Sequence, residues 1–179
     1  MEGQVALGEI PFFKGLPTQD LLAILGTTKT TQFKGGETIF HKGDKADGLY
    51  ALLGGELHIY LPATVHSPIK SLKKLVPGNY VGEYALFDGE PRSASVEATV
   101  NSEVMFLPVG AFAAILESHP AVARTVVDHL GHTLLNHPQS GLNDFERDLI
   151  VGGKVPPTLK FMQLLCRLLR KANLSIATK

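Results

Sequence analysis

One cysteine in 179 residues, Cys166, leaves no thiol to pair with inside the chain. That excludes an internal disulfide framework and fits a reducing compartment. Charge of neither sign is in excess, with Lys plus Arg and Asp plus Glu at 17 each. Nucleic-acid binding ordinarily draws on a basic surplus, so DNA binding is not expected. Long hydrophobic runs are also missing. None reaches the roughly 18 residues that a membrane-spanning helix needs, and Met1 to Leu7 lack the basic start and apolar centre of a secretory signal. No membrane association is expected, and the cytoplasm is the expected location. Nothing in the pattern resembles a nucleophile–base pair or a metal centre, so the expectation is a protein that is not an enzyme. What the chain does have is 44% hydrophobic content, enough at this length for the core of about one domain plus extras.

Taken in order, Pro17-Thr18 sets a helix start with Thr18 as its N-cap, and the helix runs through Asp20 to Leu25 before Gly26, burying Leu21, Leu22 and Leu25. From Thr27 the period changes to two. Strands are predicted over Thr30–Lys34 and Glu37–His41, then Leu49–Leu53 and Leu57–Tyr60 flank Gly54-Gly55 as a hairpin. Ser71–Val76, Ser95–Val100 and Glu103–Leu107 supply further strands, with Pro108 closing the last. Regularly spaced strands of this kind predict an antiparallel sandwich or barrel. Lys70, Lys73 and Lys74 read as a solvated strand edge that deters aggregation. Ala111–Leu116 has helical spacing and ends near His119-Pro120. A second helix restarts at Pro120 and runs to about Asn136, with Val122, Val126, Leu130 and Leu134 on one stripe. Asp128, His129 and His132 have a spacing that a metal accepts, but without a further ligand run they read as a solvated face.

The stretch from Gly82 to Val96 carries the chemistry. Gly82 permits close approach of the backbone to a ligand, and the helical turn it opens, Glu83 to Phe87, aims free N–H groups at an anion. Asp88-Gly89-Glu90-Pro91 turns the chain so that Arg92 returns to the same spot, where a guanidinium binds phosphate oxygens bidentately, with the Ser93 hydroxyl beside it. Glu83 is an odd neighbour for an anion unless the ligand also carries a hydroxyl, as a ribose 2′-OH does. A ribose joined to a phosphate is the implied ligand. Taken singly, Glu83 and Arg92 are equally an ion pair closing a loop, and Gly82 and Gly89 equally turn glycines.

Gly82-Glu83, Ala85-Leu86 and Pro91-Arg92-Ser93-Ala94-Ser95-Val96, in this order, resemble the phosphate-binding cassette of the cyclic nucleotide-binding domain family, that of catabolite-activator regulators, protein kinase A regulatory subunits and cyclic nucleotide-gated channels. Val81 and Tyr84 depart from the commoner residues there, and neither is among the family's polar contacts. The Phe-Phe-x-Gly-Leu lead-in at Phe12–Leu16, Gly35-Gly36-Glu37, Lys42-Gly43-Asp44 and Gly54-Gly55 extend the resemblance beyond the cassette. It implies a mainly β fold, an antiparallel jelly-roll β-sandwich with N-terminal helices and C-terminal lid helices. It also implies that Glu83 holds the ribose hydroxyl and Arg92 the cyclic phosphate, with Ser93 and the Ala85 amide completing the phosphate shell. The expected ligand-binding set is Gly82, Glu83, Tyr84, Ala85, Arg92, Ser93 and Ala94, and the ligand is cyclic AMP or cyclic GMP. In the family the helix after the β-roll closes over the nucleotide, which makes His132, Asn136 or His137 candidates to cap a purine.

The expected domain spans residues 8–138, with a helical lead-in over 8–26, a β-roll over 27–108 and lid helices over 109–138. Residues 139–179 form a helical extension outside the family pattern. Within it, Asp144–Ile150 reads as a short helix, and Thr158 caps a basic amphipathic helix with Leu159, Met162, Leu165, Cys166 and Leu169 as its stripe. Such a stripe packs on its own domain more often than it makes a homodimer or partner interface. The expectation is a cyclic nucleotide sensor that signals through helix rearrangement to an unknown protein effector. The alternative is a nucleotide-independent scaffold on the same fold, or a regulatory fragment of a larger channel or kinase, although the Met1 start and the tail lean against a fragment.

Overall fold

The computed structural model describes residues 7–10, 13–14, 16–137, 140–152 and 159–177. Helix α1 (Thr18–Leu25) precedes eight strands: β1 (Lys29–Phe33), β2 (Thr38–Phe40), β3 (Gly48–Gly54), β4 (Leu57–Leu61), β5 (Lys70–Leu75), β6 (Tyr80–Val81), β7 (Ser95–Ala98) and β8 (Ser102–Pro108). A 3₁₀ turn, Glu83–Leu86, sits between β6 and β7. Helices α2 (Val109–Ser118), α3 (Pro120–Leu135), α4 (Asp144–Val151) and α5 (Leu159–Ala177) follow.

The strands form two four-stranded sheets, ordered β1-β8-β3-β6 and β2-β7-β4-β5, with every pairing antiparallel. This is the antiparallel β-sandwich with flanking helices that the sequence predicts. Period-two alternation sends Leu52 of β3 and Val104 of β8 between the sheets, where they meet Phe40, Leu57, Leu75 and Val96. The opposite faces of the same strands, Leu49, Ala51, Met105 and Leu107, pack under the helices with Ile24, Phe112, Val126 and Met162.

One prediction is overturned here. Strands β3 and β4 do not form a hairpin. Each lies in a different sheet, and Gly54-Gly55 is the corner where the chain crosses between them. A bulge between Leu52 and Gly54 bends the strand out of its first sheet. Gly55 then takes a φ of +91°, and a Cβ there would run into the Ser102 side chain and the Asn101 carbonyl. The hairpin that does form joins β4 to β5.

The helices follow the apolar stripes, with two corrections at α1. Its N-cap is Pro17 with no side-chain cap, Thr18 being the first helical residue. The buried face is Asp20, Leu21 and Ile24, while Leu22 is about half exposed. Helix α3 buries Val122, Val126, Leu130 and Leu134 as predicted. Helix α4 is held by a reciprocal capping box between Asn143 and Glu146. The proposed Thr158 cap lies outside the described residues. Met162, Leu165, Cys166 and Leu169 of α5 are buried, and α5 packs on α3, so this stripe is spent within the chain. None of the described helices is long and apolar enough to cross a membrane.

Candidate functional site

The site is assembled around Arg92. Its backbone is clamped first: the Arg92 N–H donates to the Asp44 carbonyl, and its own carbonyl accepts from the Gly43 N–H, both at 2.9 Å. The same 41–47 loop is bound to the next strand by Lys42 N–H donating to Ser95 Oγ at 2.9 Å. The side chain then enters the sandwich and is only 3% exposed. Nη2 donates to Asp47 Oδ1 at 2.6 Å and to the Gly48 carbonyl at 2.8 Å, and Nη1 reaches the Gly82 carbonyl at 3.4 Å. The guanidinium carbon lies 4.2 Å from the Phe40 ring centroid and 5.4 Å from that of Tyr50, an arrangement that suits a weakly hydrated cation. Burial raises the Tyr50 phenol pKa, the Asp47 charge adds to the rise and Arg92 opposes it.

This geometry fixes two glycines. Gly82 has a φ of +85°, and a Cβ on it would collide with Arg92 Nη1. A Cβ on Gly48 would collide with the Leu107 carbonyl across the sheet. Each therefore brings a backbone carbonyl within reach of the guanidinium only because it has no side chain. One nitrogen is left over. Arg92 Nε is buried and has no hydrogen-bond partner among the described residues, a condition that buried charged groups rarely tolerate without an unseen acceptor.

Arg92 forms part of the wall of a cavity of about 470 Å³. Gly82, Glu83, Tyr84, Ser93 and Ala94 line it from the cassette side; Phe40, Ile59, Leu72, Leu75 and Val96 give it an apolar floor. Tyr80, Lys70, Lys73 and Glu90 also line it. The volume falls in the range of small-molecule sites, and an apolar floor with a few converging polar groups is their usual make-up.

The family model described as the cyclic nucleotide-binding domain matches residues 30–119. The chain belongs to that family. A cAMP-dependent protein kinase regulatory subunit from Emericella nidulans is 36% identical over 110 residues, covering 62% of this chain and 26% of that protein. The chain thus spans about a quarter of the length of such relatives. Among solved structures, the N-terminal domain of a transcriptional regulator from Streptomyces coelicolor superposes with a TM-score of 0.69 at 24% identity, covering 78% of this chain and 96% of that one. The regulatory domain of Toxoplasma gondii protein kinase A, co-crystallised with cAMP, gives 0.63 at 22% identity, covering 87% and 56%.

In this cyclic nucleotide-binding domain, six of the residues singled out in the sequence, Gly82, Glu83, Tyr84, Arg92, Ser93 and Ala94, line one cavity. The seventh, Ala85, lies in the 3₁₀ turn that follows Gly82. The ion pair of Arg92 is made with Asp47, a residue outside the set expected from the sequence. The lysines also need correcting. Strand β5 is a sheet edge as expected, and Lys74 pairs with Glu56 on its outer side at 2.9 Å. Lys70 and Lys73, however, line the cavity. The pairing of β4 with β5 steps from Ile59–Lys73 to Tyr60–Ser71, and this bulge at Leu72 lets Lys70, Leu72 and Lys73 share the inner side. His132, Asn136 and His137 do not line the cavity. Helix α3 meets its wall through His129, whose Nε2 lies 3.1 Å from the Tyr80 hydroxyl.

Proposed function

We propose that this chain is a cytosolic sensor of a cyclic mononucleotide, cAMP or cGMP, which acts by binding alone and passes ligand state to a protein effector through its helices. The observation that carries this reading is the buried, unpartnered Nε of Arg92 in the wall of a cavity of nucleotide size. A phosphate oxygen supplies the acceptor that this donor lacks, and a charge-assisted bond of this kind is among the stronger ones available to a protein. On this reading Arg92 and Ser93 take the cyclic phosphate with the Ala85 amide, and Glu83 accepts from the ribose 2′-OH. Lys70 and Lys73 offer donors and Glu90 an acceptor to the edge of a purine. The sensing unit is residues 8–138, and residues 139–179 are its extension toward the effector. Occupancy changes what the helices contact by shifting a population between two arrangements.

The rival reading, a nucleotide-independent scaffold, draws on the same side chain. Both terminal nitrogens of Arg92 already bond to Asp47, Gly48 and Gly82, which a purely structural arginine would also do.

Calorimetric titration with cAMP and cGMP, with linear AMP as control, separates the two. Saturable binding of a cyclic nucleotide but not of AMP is expected, with affinity lowered roughly tenfold or more in Arg92→Lys, which keeps the charge and loses the planar fork. No heat with either cyclic nucleotide, together with an unshifted melting temperature, would overturn the sensor reading in favour of the scaffold.

A further inference from the structure

Helix α3 is seated mainly by an apolar stripe, Val122, Val126, Leu130 and Leu134. Apolar burial is non-directional and tolerates sliding or rotation of a helix at modest cost. A hydrogen bond tolerates neither, because it weakens steeply once distance and angle drift. The Tyr80–His129 bond, 3.1 Å between phenol oxygen and Nε2, is a directional contact of this sort between the cavity wall and α3. Tyr80 sits on β6, two residues before Gly82 and three before Glu83. Tyr80 lines the cavity, and its hydroxyl bonds His129 of the helix.

We infer that Tyr80 and His129 are positioning residues that couple occupancy of the cavity to the placement of α3. The inference rests on the sensor reading. The electrostatics agree with the geometry. Burial, reinforced by the nearby charge of Glu83, pushes the Tyr80 phenol pKa well up, so the hydroxyl keeps its proton and remains a donor. Burial, then the neighbouring His132, pushes the His129 pKa down, which favours the neutral imidazole; in the tautomer with the proton on Nδ1, Nε2 is the acceptor for the Tyr80 hydroxyl. A hydroxyl of the ligand that engages Glu83 alters the field at the phenol, and the phenol bears on the helix. His129 thereby gains a role that its spacing with Asp128 and His132 does not reveal.

The test is backbone hydrogen exchange of Pro120–Leu135 in the full chain, with and without saturating cAMP or cGMP, whichever binds. In Tyr80→Phe and in His129→Leu the ligand-induced change in α3 exchange should shrink about threefold or more, with the double variant no lower than either single one, as expected for two halves of one contact. His129→Gln, which keeps an acceptor, should recover part of the response. A merely structural bond would instead raise α3 exchange equally with and without ligand. The inference is overturned if the ligand response is intact in both single variants or if their effects add. A wild-type chain that binds no cyclic nucleotide would sink the sensor reading itself, whereas binding with an unchanged α3 response in the variants would sink this inference alone. Should Tyr80→Phe fail to fold, ligand titration of the wild type followed by the ring ¹⁵N shifts of His129 decides, because an uncoupled imidazole would not move.

Discussion

The central strands of the first sheet, β3 and β8, are buried on both faces, whereas β4 and β5 of the second are apolar only toward the sandwich interior. The outer face of the second sheet is a polar ladder. His58 stands between Glu97 at 3.3 Å and Ser71 at 2.8 Å, stacks on Tyr60 and neighbours the Lys74–Glu56 pair. The difference has one cause: helices cover the first sheet and nothing described covers the second. It follows that the two sheets contribute differently to the site. The open sheet supplies floor and rim, while the covered sheet supplies Gly48 and Tyr80 and lies against the helices.

The contrast is broken most severely by Phe112→Ala. The Phe112 ring meets Phe13 edge-on at 5.8 Å and Phe87, which ends the cassette turn, at 5.6 Å. Truncation beneath the covered sheet should cost about 3–5 kcal/mol in denaturant unfolding. Next comes Gly82→Ala at the join of strand and cassette. The left-handed backbone alone costs about 1–2 kcal/mol, and the new methyl must displace Arg92, so a lowered melting temperature should accompany weakened nucleotide binding. A pH series sharpens the comparison further. The folded pKa of His129 lies below the ordinary imidazole value of about 6.5. Just below that pH the unfolded chain therefore binds the extra proton, and stability present above the window is lost as pH falls through it. The drop in melting temperature between pH 7 and pH 5 should be smaller in His129→Gln than in the wild type. Least affected should be Glu97→Gln on the open face, where the loss should stay within about 0.5 kcal/mol.

The same contrast sets what the sequence could disclose. Gly82 to Val96 is local, so its glycines, turn and arginine were readable together, and the six cassette residues at one cavity follow from that nearness. The alternating strands and the α3 stripe were equally readable, because period and burial are properties of a short window. Two partners of Arg92 were not. Asp47 and Gly48 are 45 and 44 residues away in the chain, and only the pairing of β3 with β6 and β8 brings them in. The sheet change at Gly54-Gly55 was missed for a related reason: Gly-Gly between two apolar runs fits a tight turn as well as it fits a corner. A bulge at Leu72 put Lys70 on the inner side beside Lys73, and a bulge is invisible to a strict count of two.

The bond between Arg92 and Asp47 has a consequence for how quickly a ligand arrives. The charged groups at the cavity are Arg92, Lys70 and Lys73 on one side of the ledger and Asp47, Glu83 and Glu90 on the other, three against three. Beyond about a Debye length such a set has almost no field. An anion diffusing past is not drawn in by long-range steering and meets its cation only at contact. Capture should therefore proceed at an unsteered rate that ionic strength hardly alters. Differences in affinity between ligands should be written in how long each one stays.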